Sequence, residues 1–179
     1  MHIAHAQTHL KLYRHDTTKE SLIPIGAGRN CQQTLETWPG QHLKRTLDGT
    51  LHDVRTDTMQ KWLSIITCED QSAPALDDFQ VGNIIHVNCI LAFSQWIHDK
   101  QETTLSRPPA EGQAIFQDSQ TLKETTLKNI TTDKNVKLDQ PSTGWITYRP
   151  QLTMRVKHYA IDCQEWKGKT SWKLSLEEV

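Results

Sequence analysis

His2, His5 and His9 are spaced so that a helix would carry all three on one face, an arrangement able to hold a metal ion. No nearby cysteine or carboxylate completes the ligand set, so residues 1–9 read instead as an N-terminal arm, flexible or held by a partner. Four acids, Glu69, Asp70, Asp77 and Asp78, share one connection. Paired carboxylates serve calcium binding or glycoside hydrolysis. These match no EF-hand spacing, and a solvated loop explains them. His86 lies within a strong strand pattern and is a conceivable acid–base group. No Ser, Cys or Asp stands in a triad motif with it, so it reads as a surface or interface histidine. The segment Gly26-Ala27-Gly28-Arg29-Asn30 invites a phosphate-loop reading but lacks the Gly-Lys-Ser/Thr ending. A loop that needs backbone freedom is the better account.

The four cysteines, Cys31, Cys68, Cys89 and Cys163, form no CxxC pair, which argues against a zinc knuckle. Buried free thiols are the default, with Cys68 and Cys89 as a possible disulfide or paired thiols, because each lies in or at the end of a strand pattern. HExxH, GxSxG, P-loop and dinucleotide motifs are all missing, so no catalytic, cofactor or metal site is expected. Six tryptophans offer large buried areas or stacking faces. Packing explains Trp62 and Trp172. Trp166 sits inside a polar reversal and is the candidate contact with a partner or glycan.

These residues need a frame, and the frame reads as β. From Gly144 to the end, Leu152, Met154, Val156, His158 and Ala160 alternate along one arm, and Trp172, Leu174 and Leu176 along the other. A spacing of two places each set on one face of a strand, with the polar run Asp162 to Lys169 as the turn between them. Asn83 to Gln95 reads as one strand with Ile85, Val87, Cys89, Leu91 and Phe93 on a shared face. Leu63 to Cys68 is a β-branched strand. Leu10 and Leu12 mark a short one, and Asp48-Gly49 signals a hairpin turn with both residues at positive φ. Thr56 to Trp62 suits a single helical turn. Residues 113–140 are polar with isolated apolar positions and read as an extended insertion, hairpin or loop. Pro141 to Gly144 punctuates the return to the closing hairpin. The expected fold is mainly β, an antiparallel sandwich or barrel with one or two short helical turns. It is expected to be a single domain with one core, built from 10–112 and 141–179.

Composition narrows the partners. A net charge of -1 and a pI near 6.7 argue against duplex DNA as a dominant electrostatic partner. No apolar run approaches the roughly 20 residues needed to span a bilayer. The N-terminal stretch lacks the basic and apolar regions of a signal peptide, which suggests synthesis in a reducing cytoplasm.

The blocks RTLDGTLHDV (45–54), SIITCEDQSAPALDDFQVGNIIHVNC (64–89) and YRPQLTMRV…EWKGKTSWKLSLEEV (148–179) resemble small structural, tail-associated virion proteins of tailed bacteriophages. The likeness covers about half the chain and leaves out the arm and residues 113–140. It implies a non-enzymatic virion subunit made in the host bacterial cytoplasm, with copies of itself and other virion proteins as partners. A tail, tail-tip or collar position in a symmetric oligomer is the leading expectation. A host-surface or glycan-binding module, or a head decoration protein, is the alternative. Strand edges covered by neighbouring subunits would suit such a role.

Overall fold

The computed structural model describes residues 9–15, 21–24, 26–37, 43–53, 60–75, 80–128, 130 and 134–179, without the side chains at 43 and 53. His2, His5, Asp77 and Asp78 lie outside the described residues, as do the first four positions of the helical turn expected over 56–62. Twelve strands are described. They are β1 (Lys11–Arg14), β2 (Cys31–Thr37), β3 (Leu43–Arg45), β4 (Leu51–Asp53), β5 (Trp62–Asp70) and β6 (Ile84–Asn88). There follow β7 (Phe93–Thr104), β8 (Ala114–Asp118), β9 (Glu124–Leu127), β10 (Asn135–Tyr148), β11 (Gln151–Gln164) and β12 (Lys169–Glu178). The described helix is confined to short 3-10 turns at Ala110–Gly112 and Glu165–Lys167. The mainly β class read from the sequence is therefore the observed one, with antiparallel sheets curled into a half-barrel.

A six-stranded sheet runs β1-β6-β11-β12-β5-β2, and a four-stranded sheet runs β7-β10-β8-β9. Where one core is expected from the sequence, the buried side chains gather in two clusters. The first holds Leu10, Leu12, Ile66, Ile85, Val87, Leu152, Met154 and Val156 with Trp172, Leu174 and Leu176. The inward sets of both arms of the closing hairpin thus meet there, each fully buried Leu worth about 1.5–3 kcal/mol over its exposed state. The second holds Ile97, Leu105, Ala114, Phe116, Ile130, Val136, Leu138, Ile146 and Tyr148. Residues 113–140 supply five of those nine. They form the β8–β9 hairpin and the first part of β10, and Ile97 of β7, Leu105 just past that strand and the end of β10 complete the cluster.

The single strand expected over 83–95 is two. Ile85, Val87 and Cys89 are buried in the first cluster, the chain turns through Cys89 to Ala92, and Phe93 packs on the second. Alternation persists through the corner, so periodicity alone cannot reveal the change of sheet. The chain passes back between sheets at Arg149–Pro150. There Pro109 bridges Pro150, and the Pro150 carbonyl accepts from the Cys89 N–H at 3.0 Å.

Three other expectations shift. In β11 the register moves from Val156↔Leu176 to His158↔Ser175, so Lys157 is an extra residue. Such a bulge reverses the sides that follow. His158 and Ala160 are accordingly exposed, and Tyr159 packs against the first cluster. Pro141 to Gly144 does not break the chain but lies within β10, at its two register shifts against β7. Gly144 is needed for close approach, since a Cβ there would stand 2.1 Å from the Gln117 carbonyl oxygen. The Asp48-Gly49 turn does join β3 to β4, but only Gly49 has positive φ; the Asp48 carboxylate accepts from Thr46 and from the Thr50 N–H.

The sheets are joined by a buried ion pair. Arg107, in the loop after β7, places Nε and Nη2 on the Glu178 carboxylate, the Nη2 contact being 2.9 Å. Arg107 also donates to the carbonyls of Gln60 (2.8 Å) and Ser106 (3.0 Å), and Glu178 accepts from the Trp62 N–H (3.0 Å). Trp62 stacks obliquely on Phe93 at 5.2 Å, continuing the joint in aromatic contacts.

Candidate functional site

Reactive and charged side chains gather at the edge of the six-stranded sheet, where β2 lies along β5. The ladder runs from Thr37↔Trp62 to Cys31↔Cys68. Cys31 and Cys68 are therefore cross-strand neighbours, and their sulfurs are 2.7 Å apart, with the Cys31 thiol donating to Cys68. That hydrogen bond holds the Cys68 thiol below its ordinary range, against the opposing effect of burial. The same bond, with burial, holds the Cys31 proton well above its ordinary range.

The expected Cys68–Cys89 pair is not what the fold brings together. β12 and β11 separate β5 from β6 in the sheet, and Cys89 lies just past the end of β6. Its sulfur faces the side-chain amide of Gln33 at 3.4 Å, and burial pushes its thiol up to about 12. Gln33 belongs to β2, so the sheet has curled far enough to bring its edge onto the exit of β6. Its amide also donates to Ser64 (3.1 Å), and its oxygen accepts from the Ile90 N–H (2.8 Å).

The glycine-rich segment packs beside the dithiol. Gly26 adopts φ +91°, and its carbonyl accepts from the N–H groups of Gln71 and Ser72, which is the backbone freedom expected there. The Ala27 carbonyl accepts from Trp172 Nε1 at 3.0 Å and from the Cys68 thiol at 3.4 Å. Arg29 binds Asp70 through its backbone N–H (2.8 Å), Nε (2.9 Å) and Nη2 (2.6 Å). Burial alone would raise the Asp70 carboxyl, but these donors and the Gln71 N–H hold it below the usual carboxylate range. Glu69 and Asp70, expected in a connection, instead end strand β5, and Glu69 pairs with Lys169 at 2.5 Å. An open hollow of about 440 Å³ adjoins the pair, lined among others by Asn30, Gln32, Thr67, Glu69 and Lys173. Among the described residues no three His, Cys, Asp or Glu side chains converge on one point.

His86 is half-buried in β6. Its Nε2 meets His15 Nδ1 at 3.0 Å and its Nδ1 meets Thr153 Oγ1 at 3.1 Å. Burial, then the neighbouring His15, lowers its pKa. Trp166, in the turn between β11 and β12, is 100% exposed. Trp172 is buried, and Trp62 is half-buried against the first cluster. Sequence reasoning did not single out Trp96 and Trp145 as a pair. They face each other across β7 and β10 on the outer side of the four-stranded sheet, nearly half exposed, with ring centroids 5.0 Å apart. It also missed Cys31, whose only signal was its place at the head of an alternating strand, and Arg107, which sits in a stretch without periodicity.

No family model matches this chain, and no curated protein does.

Proposed function

We propose that this chain is a non-enzymatic structural subunit of a tailed bacteriophage virion, placed in the tail, tail tip or collar and assembling as a symmetric oligomer. The resemblance of the three sequence blocks motivates the reading. The observation that carries it on the structural side is the tip of the β11–β12 hairpin. Trp166 stands fully in solvent there, at the turn of a hairpin whose second strand also pairs with β5 up to Thr170, with Ile161 also exposed on β11. A large exposed aromatic gains most when a partner surface covers it. Edge strands β2, β7 and β9 offer further backbone groups that a neighbouring copy can pair with.

The test is the mass of the full chain by light scattering at micromolar concentration, alongside Trp166→Asp and incorporation of both into particles. Assembly of the natural chain, lost in the variant while its circular dichroism is unchanged, supports the reading. A natural chain that stays monomeric and never enters particles overturns it. A glycan-binding role on the virion is the second reading, favoured by the Trp96–Trp145 pair, whose flanking Ser94 and Thr147 hydroxyls lie 3.0 Å apart. Aromatic faces beside hydroxyls suit sugar rings. Loss of glycan retention in Trp96→Ala/Trp145→Ala, with assembly intact, would select it.

A further inference from the structure

We infer that Cys31 and Cys68 are a redox-reversible pair, a site of disulfide formation that fastens the edge strand β2 to β5. The inference goes beyond the virion reading and does not depend on it. Three observations carry it. First, the register sets the two residues directly opposite on adjacent antiparallel strands, with their sulfurs already in contact. Little backbone movement is then needed to close the bond. Second, the pair is asymmetric in access: Cys31 is partly exposed, whereas Cys68 is buried beneath the Ala27 carbonyl and Trp172. Third, β2 is the least buried of the sheet's long strands, with no fully buried position from Cys31 to Thr37. A covalent tie would hold an edge that the core grips weakly.

The chemistry is thiol–disulfide exchange with a small disulfide of the glutathione type. Cys31, the accessible sulfur, gives its proton to water and, as the thiolate, attacks one sulfur of the small disulfide. The small S–S bond breaks, one small thiolate leaves, and a mixed disulfide forms on Cys31. Cys68 then gives up its proton to the departing thiolate or to water and attacks the Cys31 sulfur, expelling the second small thiolate. Two protein thiols are oxidised to one disulfide, and one small disulfide is reduced to two thiols. The sulfur contact keeps Cys68 within reach of the Cys31 sulfur for the resolving step, in which the thiolate is the attacking species. Reduced glutathione or a dithiol reverses the sequence.

The experiment uses the full chain carrying Cys163→Ser, which removes the exposed thiol. The protein is titrated with oxidised glutathione, quenched with iodoacetamide, digested without reduction and mapped by mass spectrometry. The expected result is a crosslinked Cys31–Cys68 peptide, with Cys89 found as a thiol, and full reversal by dithiothreitol. In Cys68→Ser the expected product is glutathione retained on Cys31, because the resolving sulfur is gone. A Cys68–Cys89 crosslink overturns the inference. So does stable glutathione on Cys31 in the chain that keeps Cys68. Recovery of unmodified thiols after incubation with excess oxidised glutathione overturns it as well. If Cys68→Ser fails to fold, the crosslink map of the chain with Cys68 intact decides alone.

Discussion

Among the described residues, replacing Arg107 by Met removes two of the three donors to the buried Glu178 carboxylate and leaves the Trp62 N–H. Breaking a buried ion pair from one side costs about 3–5 kcal/mol, because the remaining charge is stranded away from water. For a chain of this length about 2–4 °C of midpoint accompanies each kcal/mol, so the loss corresponds to roughly 6–20 °C. At a urea m-value of about 2 kcal/mol/M, the chemical midpoint moves by roughly 1.5–2.5 M. Glu178→Gln strands the Arg107 charge in turn and is expected to cost about as much, eased only by the amide oxygen that still accepts and by the Gln60 and Ser106 carbonyls that Arg107 keeps. The double replacement Arg107→Met/Glu178→Leu strands no charge and is expected to be more stable than Arg107→Met alone. The assay is urea unfolding followed by tryptophan fluorescence and circular dichroism. Trp62 sits in the joint and is one of the six tryptophans that contribute to the signal. A loss of less than about 1 kcal/mol in Arg107→Met, or a double variant no more stable than that single one, would show that desolvation of this pair does not hold the joint.

Gly144→Ala should destabilise by more than about 2 kcal/mol, because the methyl group meets the Gln117 carbonyl and the Phe116 ring; a thermal midpoint within 2 °C of the natural chain would contradict this. His86 has a lowered pKa, so below its unfolded value of about 6.5 the unfolded chain binds the proton more readily. Its contribution therefore falls as pH drops below about 6.5 and levels off below the folded value; His86→Gln should flatten that part of the stability–pH curve, measured by denaturant midpoints. Asp70 acts in the opposite chemical sense but the same direction of pH. Its depressed pKa gives stability that is complete above about pH 5 and is lost as pH falls through the folded value, and Asp70→Asn should remove that acid limb. Closing the Cys31–Cys68 bond ties residues 37 positions apart, for which loop entropy gives at most about 4 kcal/mol; oxidised and reduced chains should differ in midpoint in that direction, and Cys31→Ser should abolish the difference.

The amino-acid sequence by itself determined the class of fold and the faces of its clearest strands. Leu152, Met154 and Val156, with Trp172, Leu174 and Leu176, alternate without interruption, and burying one face of a strand leaves them a single way to point. Trp166, in a polar turn with no apolar neighbours in sequence, was legible as exposed for the same reason. What only the tertiary structure decided are the pairings between segments far apart in the chain. Alternation carries no mark of which strand lies alongside, so it could not choose between Cys89 and Cys31 as the neighbour of Cys68. Nor could it show where a strand leaves one sheet for another, as between Asn88 and Phe93, because an inward position looks the same in either cluster. The bulge at Lys157 reversed His158 and Ala160 through a mismatch with β12 that neither strand encodes alone. Arg107 and Glu178 are 71 positions apart, and no local pattern links them; the curl of the sheets brings them together, and desolvation makes their contact matter.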